Sequence, residues 1–144
     1  MPFEPRIRVV PLRSPSSGRR RLSYRYRLYP LRDQLPILDS HRSELAYLWN
    51  HALAERRDAW ARDQKPIPYL DQQRELTRWR AYDSGGLGRL SVAIAQDCLQ
   101  RLDLAFRAFF RHVKRGERPG YPRFRREVDS FTFSPPQSPI VPAP

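Results

Sequence analysis

The sequence predicts a mainly α, α+β chain in which three helices are inserted between two strands, with disordered segments at both ends. Three observations predict it. Apolar residues recur at spacings of three and four over most of residues 38–113, the period of helices that bury one face. Strict alternation appears once on each side of that stretch, as strands require. Pro, Ser and Gly crowd both termini, where no periodicity survives.

Residues 1–22 mix Pro, Ser, Gly and Arg and read as a flexible basic arm. Order is expected from about Ser23. In Tyr24-Arg25-Tyr26-Arg27-Leu28-Tyr29, alternation sets Tyr24, Tyr26 and Leu28 on one face of a strand and Arg25, Arg27 and Tyr29 on the other. Pro30 ends that strand, and Asp33 is placed to cap a helix whose first turn accepts Pro36. Leu38, Arg42, Leu45, Trp49, Ala52, Leu53, Arg56 and Trp60 then mark one face of a helix running to about Arg62. Lys65-Pro66-Ile67-Pro68 stops it.

A shorter second helix follows, with Tyr69, Gln72 or Gln73, Leu76 and Trp79 on one side, and fails at Asp83-Ser84-Gly85-Gly86. The third helix has the clearest pattern. Ser91 is a good N-cap residue, and Ile94, Ala95, Cys98, Leu99, Leu102, Ala105, Phe106, Phe109, Phe110 and Val113 form a continuous apolar stripe. Ser130-Phe131-Thr132-Phe133 alternates again and reads as the second strand, so one ordered domain covers 23–133. The tail, 134–144, is Pro-rich and expected to be disordered.

Of 144 residues, 27 are Lys or Arg and 15 are Asp or Glu, a net charge of +12 that puts a polyanion first among expected partners. The charge is uneven. Residues 1–30 carry eight Arg and one Glu (+7), residues 31–83 nine bases and nine acids (0), and residues 84–144 ten bases and five acids (+5). Only Lys65 and Lys114 are lysines; a guanidinium fork suits bidentate phosphate contact, although a codon bias toward Arg explains most of the ratio. One cysteine, Cys98, excludes an internal disulfide, and no Cys or His pair has metal-ligand spacing, so no metal or other cofactor is expected. That usage fits a reducing, cytoplasmic setting. No apolar run approaches the ~20 residues a spanning helix needs, so no membrane partner is expected.

The strongest constellation lies after the third helix. Between Arg111 and Arg126 stand seven bases (Arg111, Lys114, Arg115, Arg118, Arg123, Arg125, Arg126) and one acid, interleaved with Tyr121 and Phe124. Guanidinium groups hold phosphates and aromatic faces stack on unpaired bases, so this segment is the expected nucleic-acid surface; Arg25 and Arg27 on the proposed partner strand enlarge the field. The plainer reading is a solvated basic loop with two aromatics tucked into the core. No catalytic residue is expected: His41, His51 and His112 show no i, i+4 pairing, and no Ser or Cys sits in a nucleophile-elbow pattern. Asp58, Asp71, Asp97 and Asp103 fall beside arginines and read as charge partners rather than magnesium ligands. Cys98 lies within the apolar stripe and reads as a core residue.

Tyr26-Arg27-Leu28-Tyr29-Pro30, then Leu48-Trp49-Asn50-His51-Ala52-Leu53, then Leu99-Gln100-Arg101-Leu102-Asp103 with Ala105-Phe106-Arg107-Ala108-Phe109-Phe110-Arg111, then Gly120-Tyr121-Pro122-Arg123-Phe124, resemble in order and spacing the start of TnpB (OrfB) transposon proteins. The resemblance covers about Tyr24 to Phe133. It implies a β-barrel, here incomplete, interrupted by a helical helix-turn-helix region. It also implies that this part grips a guide RNA and a short duplex motif beside the target, while a following RuvC-like domain cuts DNA. By the same resemblance Tyr69 and Gln96 face the duplex motif; glutamine can bond adenine at two atoms. Full members continue into the nuclease domain and a zinc ribbon, whereas this sequence ends soon after Phe133.

The sequence therefore leads to a nucleic-acid-binding module without catalytic activity of its own, the family's nuclease domain being absent. The other readings are a truncated, non-functional transposase remnant, a nuclease completed by a separately encoded domain, and a stand-alone helix-turn-helix regulator.

Overall fold

The computed structural model describes residues 8–12, 21–25 and 29–132, with side chains from Tyr29 onward. The chain divides into two compact units, residues 1–35 and residues 36–144.

In the first unit, β1 (Arg8–Leu12) and β2 (Arg21–Arg25) pair antiparallel, in a register that sets Arg8 opposite Arg25 and Val10 opposite Ser23. Their partners are each other. Among the described residues no third strand joins them, so the expected fold class, a helical insertion between strands of an incomplete barrel, is overturned. The helices follow the strand pair and do not interrupt it.

Two details of that expectation change as well. β1 falls inside the segment read as an arm, where the β-branched pair Val9-Val10 supports extended backbone despite Pro11. Ser130, Phe131 and Thr132 are not in a strand. Their polar groups are taken by the third helix instead: the Arg101 guanidinium donates to the Ser130 carbonyl (2.9 Å), Ser130 Oγ and Thr132 Oγ1, and the Thr132 N–H donates to Asp97 (2.9 Å). The Ser130 carbonyl and the Thr132 N–H are thereby taken from any sheet ladder. The expected alternation of Tyr26 and Leu28, Phe133, and the tail 134–144 lie outside the described residues.

The second unit is built from α1 (Leu35–Asp63), α2 (Tyr69–Tyr82) and α3 (Val92–Lys114), with a 3-10 turn at Leu87–Arg89. Before α1, Leu31 and Gln34 bond reciprocally, Gln34 N–H to the Leu31 carbonyl and Leu31 N–H to Gln34 Oε1, which is where Asp33 was expected to cap. Pro36 sits in the first turn, where a missing N–H costs nothing. Gln64 ends the helix in the left-handed region (φ 53°), its backbone and side-chain amides both donating to the Trp60 carbonyl. Two prolines then keep residues 66–68 extended until α2 begins.

Asp83 organises the glycine loop: its carboxylate accepts the N–H groups of Gly86 (3.1 Å) and Leu87 (2.9 Å). Arg80 ties the other side, donating to the Gly88 and Leu90 carbonyls. Gly88 is required there, because a Cβ would stand 2.7 Å from the Arg80 carbonyl oxygen. Ser91 does occupy the N-cap position of α3, but its hydroxyl makes no capping bond.

The core joins Leu45, Leu48, Trp49, Ala52 and Leu53 of α1 to Ile94, Ala95, Cys98, Leu99, Leu102 and Phe106 of α3, with Leu76, Leu87, Leu90 and Val128 closing its edges. Only part of the expected α3 stripe is interior. Phe110 and Val113 are about half exposed. Trp60, expected on the buried face of α1, is exposed as well, and it lines the same cleft as Phe110. Gln72, fully buried, is the polar centre of the core: it accepts from Arg56 Nε (2.7 Å) and donates to the Ala52 carbonyl and Glu55.

Candidate nucleic-acid interface

Beyond α3 the chain turns at Gly116, whose φ of +72° is the left-handed conformation glycine adopts freely, and returns as an extended strap. The strap runs antiparallel to α1 and is fastened at each step. The Tyr121 ring meets Phe106 and Phe109 edge-on at 5.5 and 5.3 Å. Trp49 Nε1 donates to the Arg123 carbonyl (2.9 Å). Asn50 holds residue 125 by both of its backbone groups, donating to the carbonyl (2.7 Å) and accepting from the N–H (2.8 Å). Val128 is buried, its N–H bonded to the Arg42 carbonyl, while the Arg42 guanidinium reaches Glu127 and Asp129.

This fastening decides what the strap's basic residues present. The Arg125 guanidinium lies 4.0 Å from the centre of the Trp49 ring, a cation–π contact that fixes its position. Phe124 is half exposed, with the Arg57 guanidinium 5.1 Å above its ring. Arg118, Arg123 and Arg126 are exposed. Burial foremost pushes the Tyr121 phenol above its ordinary value, while nearby Arg57 and Arg56 pull it the other way. It therefore stays neutral at physiological pH and serves as a ring and a hydroxyl.

At the end of α3, Arg107, Phe110, Arg111, Lys114 and Arg115 line a single concavity. Arg107 is half-committed, paired with Asp103 at 2.7 Å. Among the described residues none of the seven bases from Arg111 to Arg126 makes an ion pair, and the one acid in that segment, Glu117, is held by His112. Elsewhere the helix acids do sit against arginines: Asp58 with Arg57, Asp71 with Arg74, Asp97 with Arg101, and Asp103 with Arg56 and Arg107.

Arg25, Arg27, Tyr69 and Gln96 belong to other segments. Arg25 is in β2 with its side chain outside the described residues, and Arg27 lies outside them altogether; the strand that β2 pairs with is β1, not the expected segment after α3. Tyr69 begins α2 with its ring packed against the core, and burial, then the Asp103 charge, raises its phenol. Gln96 is half-buried in the second turn of α3.

Sequence reasoning missed Arg107, Arg57, Trp49 and Asn50. Arg107, Arg111, Lys114 and Arg115 recur at steps of four and three, a basic stripe that the spacing alone displays. The other three are more than 65 residues from the strap positions they hold, and no local pattern points to them.

Residues 20–65 match the helix-turn-helix domain of the OrfB/IS605 family. That stretch is similar to a TnpB-type helix-turn-helix region. The matched stretch holds β2 and all of α1, and stops before α2 begins at Tyr69. A relative from Streptomyces pristinaespiralis, named "Putative RNA-guided DNA endonuclease", is 29% identical over 109 residues, which make up 75% of this chain and 26% of that protein. The chain thus spans about a quarter of that relative's length. Among the described residues no helix is long and apolar enough to cross a membrane.

Proposed function

We propose that this chain is a nucleic-acid-binding module of a TnpB-type transposon protein and that its phosphate-binding surface is the end of α3 together with the strap. One observation carries the reading: seven cations within sixteen residues, none of them neutralised by a carboxylate among the described residues, on a segment whose backbone is fastened to α1. Unpaired guanidinium groups on a fixed backbone release counterions from a nucleic acid without first breaking internal ion pairs. The helix-turn-helix match and the name of the Streptomyces relative support the same assignment.

In finer terms, the strap and the α3 terminus (Arg111, Lys114, Arg115, Arg118, Tyr121, Arg123, Phe124, Arg125 and Arg126) engage the backbone and exposed bases of a guide RNA. Arg25 and Arg27 are assigned to phosphate contact, and Gln96 and Tyr69 to duplex beside the target. A salt titration tests the core of this. Binding of an RNA hairpin should fall steeply between 50 and 200 mM salt, and the triple reversal Arg111→Glu, Lys114→Glu, Arg115→Glu should flatten the dependence by about two to three units of slope. Affinity indifferent to salt, or to the triple reversal, would remove the basis for the proposal. Sequence-specific binding to a palindromic duplex by a dimer would instead identify a stand-alone regulator.

A further inference from the structure

Beside the basic concavity at the end of α3 lies a second, apolar cleft of about 420 Å³, within the size range of small-ligand sites. Trp60, Pro66 and Ile67 form one wall, and Phe109, Phe110 and Tyr121 the other. Trp60, Phe110 and Tyr121 remain 53, 54 and 42% exposed, three large aromatic side chains left open around one space. Phe110 is nevertheless held, its ring edge-on to Phe109 at 5.3 Å. The two concavities share Arg107 and Phe110, so the aromatic cleft adjoins the concavity lined by Arg111, Lys114 and Arg115.

Resting on the nucleic-acid reading above, we propose that this cleft receives one unpaired base of a single strand, with Trp60 and Phe110 as stacking faces and Arg107, Arg111, Lys114 and Arg115 holding the flanking phosphates. Aromatic walls joined to cations, here Arg111, Lys114 and Arg115 without a carboxylate partner and Arg107 shared with Asp103, are the pairing that single-strand binding uses. An apolar peptide would bury the aromatics but leave those cations unanswered. Asp103, the only acid lining the cleft, already faces Arg56 and Arg107 and does not repel a phosphate-bearing ligand. Arg56 also lines the cleft, is 8% exposed, and keeps Nη2 buried without an acceptor. A base with keto oxygens brings an acceptor to that side.

Three probes of equal length separate the contributions: a 12-nucleotide oligothymidylate, the same backbone with abasic sites throughout, and a blunt duplex, each titrated against the full chain by fluorescence anisotropy. Trp60→Ala and Phe110→Ala change exposed side chains, and circular dichroism melts would verify that each variant stays folded. Each should weaken oligothymidylate binding by about 5- to 100-fold while moving the abasic and duplex affinities by less than about twofold. Trp60→Phe, which keeps a stacking face, should retain most of the affinity. Lys114→Glu should weaken all three probes. Equal losses on the abasic strand, or wild-type protein that binds abasic and thymidylate strands alike, would overturn the base cleft and leave phosphate binding standing; no binding of any probe would overturn both readings.

Discussion

Replacing Asn50 by alanine tests whether the strap is fastened as described. The side-chain amide makes two bonds to the backbone of residue 125, at 2.7 and 2.8 Å, one as donor and one as acceptor. A protein hydrogen bond contributes about 0.5–1.5 kcal/mol net, and this pair sits at the half-buried margin, where water partly replaces what is lost. Asn50→Ala should therefore cost about 1–2 kcal/mol, or about 4–8 °C in Tm for a unit of this size. Asn50→Asp sharpens the test, because a carboxylate can still accept from the Arg125 N–H but faces the Arg125 carbonyl with no proton to donate. Asn50→Asp should therefore keep the bond from the Arg125 N–H and lose the one to the Arg125 carbonyl, leaving that amide protected while the melting temperature falls. Melts followed by circular dichroism, with hydrogen exchange at the Arg125 amide, read both effects. If Asn50→Ala melts within about 1 °C of wild type and that amide stays equally protected, the strap is held by something other than this clamp.

Gln72→Ala should be the more damaging change, by about 3 kcal/mol or more in urea unfolding, because it strands the charged Arg56 Nε in the core and removes a donor from Glu55; a loss below about 1 kcal/mol would contradict that. Burial, foremost, and the neighbouring Asp97 charge push the Cys98 thiol up to about 12, so it should resist alkylation at pH 8 until the protein is unfolded. The unfolded thiol ionises first, so stability should decline from about pH 9 toward pH 12, and Cys98→Ala should lessen that decline relative to wild type; the raised Tyr69 and Tyr121 phenols contribute in the same direction to both proteins. Gly88→Ala should destabilise by about 1–3 kcal/mol, since its Cβ meets the Arg80 carbonyl oxygen at 2.7 Å, whereas Gly85→Ala, with open space around it, should stay within about 0.5 kcal/mol. Equal effects at the two glycines would show the loop to be looser than drawn.

The helices were legible because each buries one stripe, and a stripe leaves a period in the sequence: Leu45, Trp49, Ala52, Leu53 and Arg56, or Ile94, Cys98, Leu99, Leu102 and Phe106, needed no partner to be recognised. The breaks were equally local, at Pro66, Pro68 and Asp83. The basic segment after α3 could also be read from composition, since like charges crowded together are visible without a fold. Strands were different. Alternation at residues 130–133 predicted a sheet, but whether an extended segment joins one depends on which groups meet its N–H and C=O, and Arg101 and Asp97 met them first. β1 went unread in turn because its partner, not its own pattern, makes it a strand.

By itself, then, the sequence determined the period of each helix, the places where helix must stop, and an excess of cations concentrated toward the two ends. Which surfaces those cations share was decided only by tertiary structure. Trp49 and Asn50 lie more than 70 residues before the strap atoms they hold, and Trp60 and Phe110, half exposed at the cleft, belong to two helix stripes that look uniformly buried in one dimension. The physical reason is that periodicity records what a residue's own helix requires, whereas exposure depends on which other segments pack against it. The residues left open at the end of α3, Phe110 among Arg107, Arg111, Lys114 and Arg115, are the ones assigned to a nucleic acid.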